Sequence, residues 1–232
     1  MTRHEQLIWA EKQAIHLFQL IDERGIIRAG ANEKEINEAI YALAKEAFGI
    51  EKYWHKRIVR AGKNTLLPYR ENPPDELVKA DDMVFLDFGP IFENWEADFG
   101  RTFVLGSDPA KKALADACIS VWKKGKEYFD IHFETLTCAD FYRFIQQCAK
   151  DSGYEFGHGH CGHLIGEFPH EKIQGDDIKF YFHSENPRPV KRLGKDGLPL
   201  EWILEVHLID PELQLGGFVE QIVSIPAYQS PF

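Results

Sequence analysis

Four carboxylates stand where a carboxylate is costly. Asp87 sits in Val84-Phe85-Leu86-Asp87-Phe88, Asp98 heads the run Ala97 to Leu105, Glu205 lies in Ile203-Leu204-Glu205-Val206, and Glu220 in Phe218-Val219-Glu220-Gln221-Ile222. These runs are strand-length, apolar and rich in β-branched or aromatic residues. A carboxylate embedded in such a strand must be paired, protonated or bound to a cation. A second unusual stretch, Gly153 to Glu171, carries histidines at 158, 160, 163 and 170 among several glycines. Carboxylate oxygens with one or two imidazoles suit Mn, Fe, Co or Zn. Carboxylates also bridge pairs of ions about 3.5–4 Å apart, which activate a water and stabilise the oxyanion formed at a carbonyl or phosphoryl group. Pairing with a lysine or arginine would account for any one of these acids, but poorly for all four together with the histidines.

The two aspartates belong to a hairpin, Met83 to Gly106. With the turn at residues 91–94, Asp87 is expected directly opposite Asp98, their Cβ atoms about 4.5–5.5 Å apart. Like charges so placed repel, and a shared proton or a cation would compensate.

The other elements are expected to be scaffold. Apolar residues recur at helical spacing over residues 5–24, and a second helix runs from an Asn32 N-cap to Phe48. Tyr53 to Gly62 reads as a strand, followed by a long Pro-rich loop. His55 and Tyr69, in this region, are read as cleft-wall or surface residues. Asp108-Pro109 opens a long helix, and another starts near Thr137. Residues 172–199 read as a polar insertion, a surface loop or lid with a short strand near 179–182. Strands at 201–209 and 217–225 close the domain. His158 and His160 are taken as local structure or surface, and His207 as packing on the face shared with Glu205.

At 232 residues the chain is expected to form one domain, 1–232. A formal charge of -10 argues against nucleic-acid binding. No run reaches the roughly 18 apolar residues of a membrane span. The N-terminus lacks a secretory apolar core. Cys118, Cys138, Cys148 and Cys161 follow neither CxxC spacing nor a disulfide framework, so free buried thiols and a cytoplasmic location are expected.

In combination these motifs resemble the pita-bread metallopeptidases, the M24 family of methionine aminopeptidase, aminopeptidase P and prolidase. LDFGPIFENWEADFGRTFVLG resembles its paired-aspartate hairpin, including the eleven-residue step between the acids. GHLIGEFPHE resembles its Gly-His-x-Ile-Gly segment followed by His-Glu, and ILEVHL and FVEQIVSI its two glutamate strands. The resemblance implies an α+β fold, a curved antiparallel sheet flanked by helices with the metal site in its concave face. It implies Asp87, Asp98, His163, Glu205 and Glu220 as ligands of two divalent ions, manganese first, with cobalt, iron or zinc as alternatives. Asp98 and Glu220 would bridge, Glu205 would also shuttle the proton of a metal-bound hydroxide, and His170 would meet the substrate carbonyl. Tyr69 and Arg101 are candidate substrate contacts, Arg101-Thr102 resembling the Xaa-Pro branches. The implied activity is an Xaa-Pro-type aminopeptidase or dipeptidase acting on small peptides, with a homodimer left open. Two departures stand out. Pro68 occupies the position of the family's loop histidine, for which Tyr69 or His55 could substitute, and the usual residues around Glu205 are replaced. An inactive peptide- or protein-binding module and a hydrolase of a C–N bond in a small metabolite are the alternatives.

Overall fold

The structure, a computed structural model, describes residues 1–67, 69–169 and 177–225. Helix α1 (Arg3–Glu23) begins with a capping box between Thr2 and Glu5, and α2 (Glu33–Phe48) with one between Asn32 and Glu35. Each box satisfies two backbone donors that a helix start otherwise leaves open. The expected strand at 53–62 shrinks to β1 (Ile58–Ala61). Then come β2 (Met83–Phe88), β3 (Ile91–Phe92), β4 (Trp95–Glu96) and β5 (Phe99–Val104). Helices α3 (Pro109–His132) and α4 (Cys138–Asp151) follow, then β6 (Glu155–Phe156), β7 (His160–Ile165), β8 (Tyr181–His183), β9 (Glu201–Asp210) and β10 (Leu215–Ile222).

One antiparallel sheet runs in the order β1-β2-β5-β10-β9-β7-β8, with β6 paired to β9. The period-two alternation of its strands assigns the two faces. Val84, Leu86, Phe88 and Phe99 join α1 and α2 in one core, with Phe18 edge-on to Phe99. Trp202, Leu204, Val206, Leu208 and Val219 join α3 and α4 in another, where Trp122 donates to the Leu204 carbonyl. Asp87, Glu205, His207, Phe218 and Glu220, which alternate with these residues, take the opposite face. This is the expected α+β sheet flanked by helices.

The hairpin differs from expectation in register. Ile91 and Phe92 are buried and pair with Glu96 and Trp95, so the turn falls on Glu93-Asn94, with Glu93 at φ 57°. Asp87 therefore faces Gly100, not Asp98. The two aspartates are diagonal neighbours.

Segment 177–199, expected as a surface loop, contributes to the core. Phe182 stacks on Trp202, Phe182 and Val190 are buried, and the expected strand is β8. The Arg188 and Asn186 carbonyls accept from Cys138 N–H and Ala139 N–H, two of the donors at the start of α4. All four cysteines are buried and free, as expected.

Candidate metal centre

Register places the carboxylates in one row. Asp87 pairs with Gly100, Gly100 with Glu220, and Glu220 with Glu205, across β2, β5, β10 and β9. Gly100 leaves the gap in that row: a Cβ there would lie 2.4 Å from the Phe218 ring and 3.1 Å from the Glu220 Cβ. Asp98, just ahead of β5, and His163 on β7 complete the expected five, and all are buried.

His163 Nε2 lies 3.2 Å from Asp98 Oδ2 and 3.5 Å from Glu220 Oε1. Its Nδ1 lies 2.8 Å from the Leu164 carbonyl, which fixes the tautomer that presents the Nε2 lone pair to the acids. His55, read from sequence as a cleft-wall or surface residue, repeats this arrangement on the other side. Its Nε2 lies 3.1 Å from Asp98 Oδ1 and 3.5 Å from Asp87 Oδ1, while Nδ1 lies 2.7 Å from the Lys56 carbonyl. Asp98 thus offers one oxygen to each imidazole. Trp54 walls the pair: it donates to the Ala97 carbonyl and its ring meets His55 and His163 edge-on. Gly89 admits these rings, since a Cβ there would come within 2.3 Å of both His55 Cδ2 and Trp54 Nε1. Sequence reasoning offered His55 only as a stand-in for the loop histidine and not as a ligand, because its loop has no periodicity. The one available signal was the Gly89-Pro90 break across from it.

Glu205 has its own histidines. His160 Nδ1 lies 2.7 Å from Glu205 Oε1, and His158 packs edge-on to His160. The reading of both as local structure is therefore replaced by contact with the site. His207 does pack structurally, its Nε2 meeting the Thr65 carbonyl at 2.8 Å. Tyr69 reaches the periphery, its ring edge-on to His55 at 5.7 Å between centroids. Arg101 is not brought into the row. It lies on the helix-covered face, over Phe99, and donates to the Gly100 and Glu220 carbonyls and to Gln221. Its place on the strand, one residue from Gly100, turns its side chain away from the acids. His170 and Pro68 lie outside the described residues.

Electrostatically the row crowds like charges together. Burial, opposed by His55 and reinforced by Asp98, pushes the Asp87 carboxyl up to about 7. Burial and the neighbouring acids raise Glu220 well above the carboxylate range. Burial opposes charge on the imidazoles, yet Asp87 and Asp98 lift His55 to about 9, and Asp98 and Glu220 lift His163 well above its ordinary value. Burial also opposes ionisation of Glu205, but His160, 2.7 Å away, outweighs it and holds the acid down at about 2. His158 is kept neutral by burial, at about 4.

The donors fit divalent cations. Asp87 Oδ1 is buried without a hydrogen bond of suitable geometry. Ligand atoms of His55, Asp87 and Asp98 lie within 4.8 Å of one another, and so do those of Asp98, His163 and Glu220. Two carboxylate–imidazole triads that share Asp98 could each hold a divalent cation.

The family model of the M24 metallopeptidases matches residues 10–192, so the chain belongs to metallopeptidase family M24. It is 26% identical over 147 residues to the Xaa-Pro dipeptidase of Pyrococcus horikoshii, covering 62% of this chain and 40% of that protein. The chain spans less than half the length of the first curated relatives it matches. Among solved structures, an Xaa-Pro dipeptidase from Bacillus anthracis superposes with a TM-score of 0.74 at 19% identity, over 99% of this chain and 61% of that one. Methionine aminopeptidase from Rickettsia prowazekii gives 0.69 at 16% identity, over 94% and 90%. These likenesses show the shared pita-bread fold.

Proposed function

We propose that the chain is a dinuclear metal-dependent peptidase that cleaves small Xaa-Pro peptides, with manganese as the preferred ion. The observation that carries this reading is Asp98, with one oxygen toward His55 and the other toward His163. A carboxylate so placed serves two cations at once. Asp87, Asp98 and His55 would hold one, and Asp98, His163, Glu205 and Glu220 the other. The oxygen-rich donor set suits manganese. Bound there, a pair of divalent ions supplies an activated water and a Lewis acid for the scissile carbonyl.

The chain's own residues do the rest. Glu205 is ionised at neutral pH and so accepts the water's proton, then returns it to the leaving amine. The Trp54 ring limits water around the imidazoles. His170 is assigned to the substrate carbonyl and Tyr69 to the substrate-side wall. The names of several relatives support the Xaa-Pro choice.

Metal content and turnover of Xaa-Pro dipeptides, Xaa-Pro tripeptides and methionyl peptides test the proposal. The manganese-loaded chain is expected to hold two ions and to hydrolyse an Xaa-Pro bond, and Glu220→Ala to lose both. Failure to bind any ion after manganese or cobalt loading refutes it.

A further inference from the structure

The Gly-rich stretch ahead of His163 carries two histidines that the paired site does not need. His158 Nδ1, His160 Nδ1 and Glu205 Oε1 are all shielded from solvent, and none makes a hydrogen bond of suitable geometry. His160 Nδ1 nonetheless comes within 2.7 Å of Glu205 Oε1. Ligand atoms of the three residues lie within 4.8 Å of one another. The two rings meet edge-on with centroids 4.0 Å apart. Unpaired buried nitrogens and a carboxylate oxygen that face one another are rare in native proteins without a ligand between them.

We propose that His158, His160 and Glu205 form a third cation site, at the β9 end of the carboxylate row, for a borderline transition ion such as zinc. Two imidazoles and one carboxylate are a recurring zinc donor set, with a water as fourth ligand. The site is richer in nitrogen than the paired one, so it favours zinc over manganese. Glu205 links the two sites: its Oε1 faces the histidines, which leaves Oε2 for the row. The two sites share Glu205, but His158 and His160 take no part in the paired site, so their substitution separates the two readings.

Zinc equivalents bound by the dialysed chain, counted by atomic emission at saturating zinc, test it. The unaltered chain is expected to bind one equivalent more than His158→Asn/His160→Asn. A His163→Ala chain, with the paired site damaged, is expected to keep that equivalent and to lose it when the two Asn substitutions are added. An unchanged count in His158→Asn/His160→Asn overturns the third site. An unchanged count in His163→Ala bears instead on the paired site. Histidine-selective 15N NMR of the unaltered chain provides a check free of any folding defect: zinc is expected to shift the ring nitrogens of His158 and His160, and unmoved resonances overturn the assignment.

Discussion

Replacing Gly89 with alanine adds one methyl group beside the imidazole of His55. That methyl carbon would lie 2.3 Å from His55 Cδ2, 2.5 Å from its Nε2 and 2.3 Å from Trp54 Nε1. Both rings must retreat by about 1.1 Å or more to reach van der Waals separation. His55 Nε2, 3.1 Å from Asp98 Oδ1, would then point past the aspartates. Losing one well-oriented imidazole is expected to weaken the ion held by Asp87 and Asp98 about 10–100-fold, or about 1.4–2.7 kcal/mol. The overpacking itself costs about 1–3 kcal/mol of stability. Titration calorimetry with manganese on Gly89→Ala, His55→Ala and the double variant reads the effect. Because both substitutions remove the same ligand, the double variant should bind no more weakly than His55→Ala. Full-affinity binding by a folded Gly89→Ala chain, with His55→Ala impaired, would refute the steric reasoning. Full affinity in both would remove His55 from the ligand set.

Further outcomes follow from the same geometry. Glu205→Gln is expected to lower kcat for Xaa-Pro hydrolysis about 10²–10⁴-fold, measured in the manganese-loaded enzyme, because an amide cannot take the water's proton. In the metal-free chain Asp87 and His55 hold protons to about pH 7 and 9, above their ordinary values of 3.8 and 6.5. The folded chain therefore binds the extra protons, and from these two groups its metal-free stability falls as pH rises from about 4 to 9. Cations must displace the same protons, so apparent metal affinity should fall as pH drops through 9 and again through 7, checked by calorimetry in buffers of different ionisation enthalpy. Manganese at 100 times its Kd should add about 2.7 kcal/mol and raise Tm by about 5 °C or more, reversed by a chelator. Phe129→Ala, in the fully buried cluster with Phe141 and Phe182, should cost about 3–5 kcal/mol in denaturant unfolding.

The sequence exposed the carboxylates because each interrupts an apolar strand, an anomaly visible without coordinates. It also located the helices to within a few residues, since their caps and apolar spacing are local signals. It misplaced the hairpin register because Ile91 and Phe92 stand near the centre of a short connection. Their burial extends the arms and moves the turn to Glu93-Asn94. His55 and His160 were underweighted for a different reason. Their importance lies in which backbone comes close, Gly89 for one and β9 for the other, and neither proximity is written in residue spacing. The 177–199 segment looked polar on average, yet Phe180, Phe182 and Val190 are the residues that anchor it.

The row from Asp87 to Glu205 has a consequence in time as well as space. Its halves come from residues near 87–100 and near 205–220, and one antiparallel seam, β5 against β10, joins them. Closing a separation of that length is a late and slow event in folding. During synthesis Asp87 and Asp98 follow His55 closely, but more than a hundred further residues must be added before Glu205 and Glu220 exist. A cation held by Glu205 and Glu220 therefore could not nucleate this protein; it could only ratify a topology already reached.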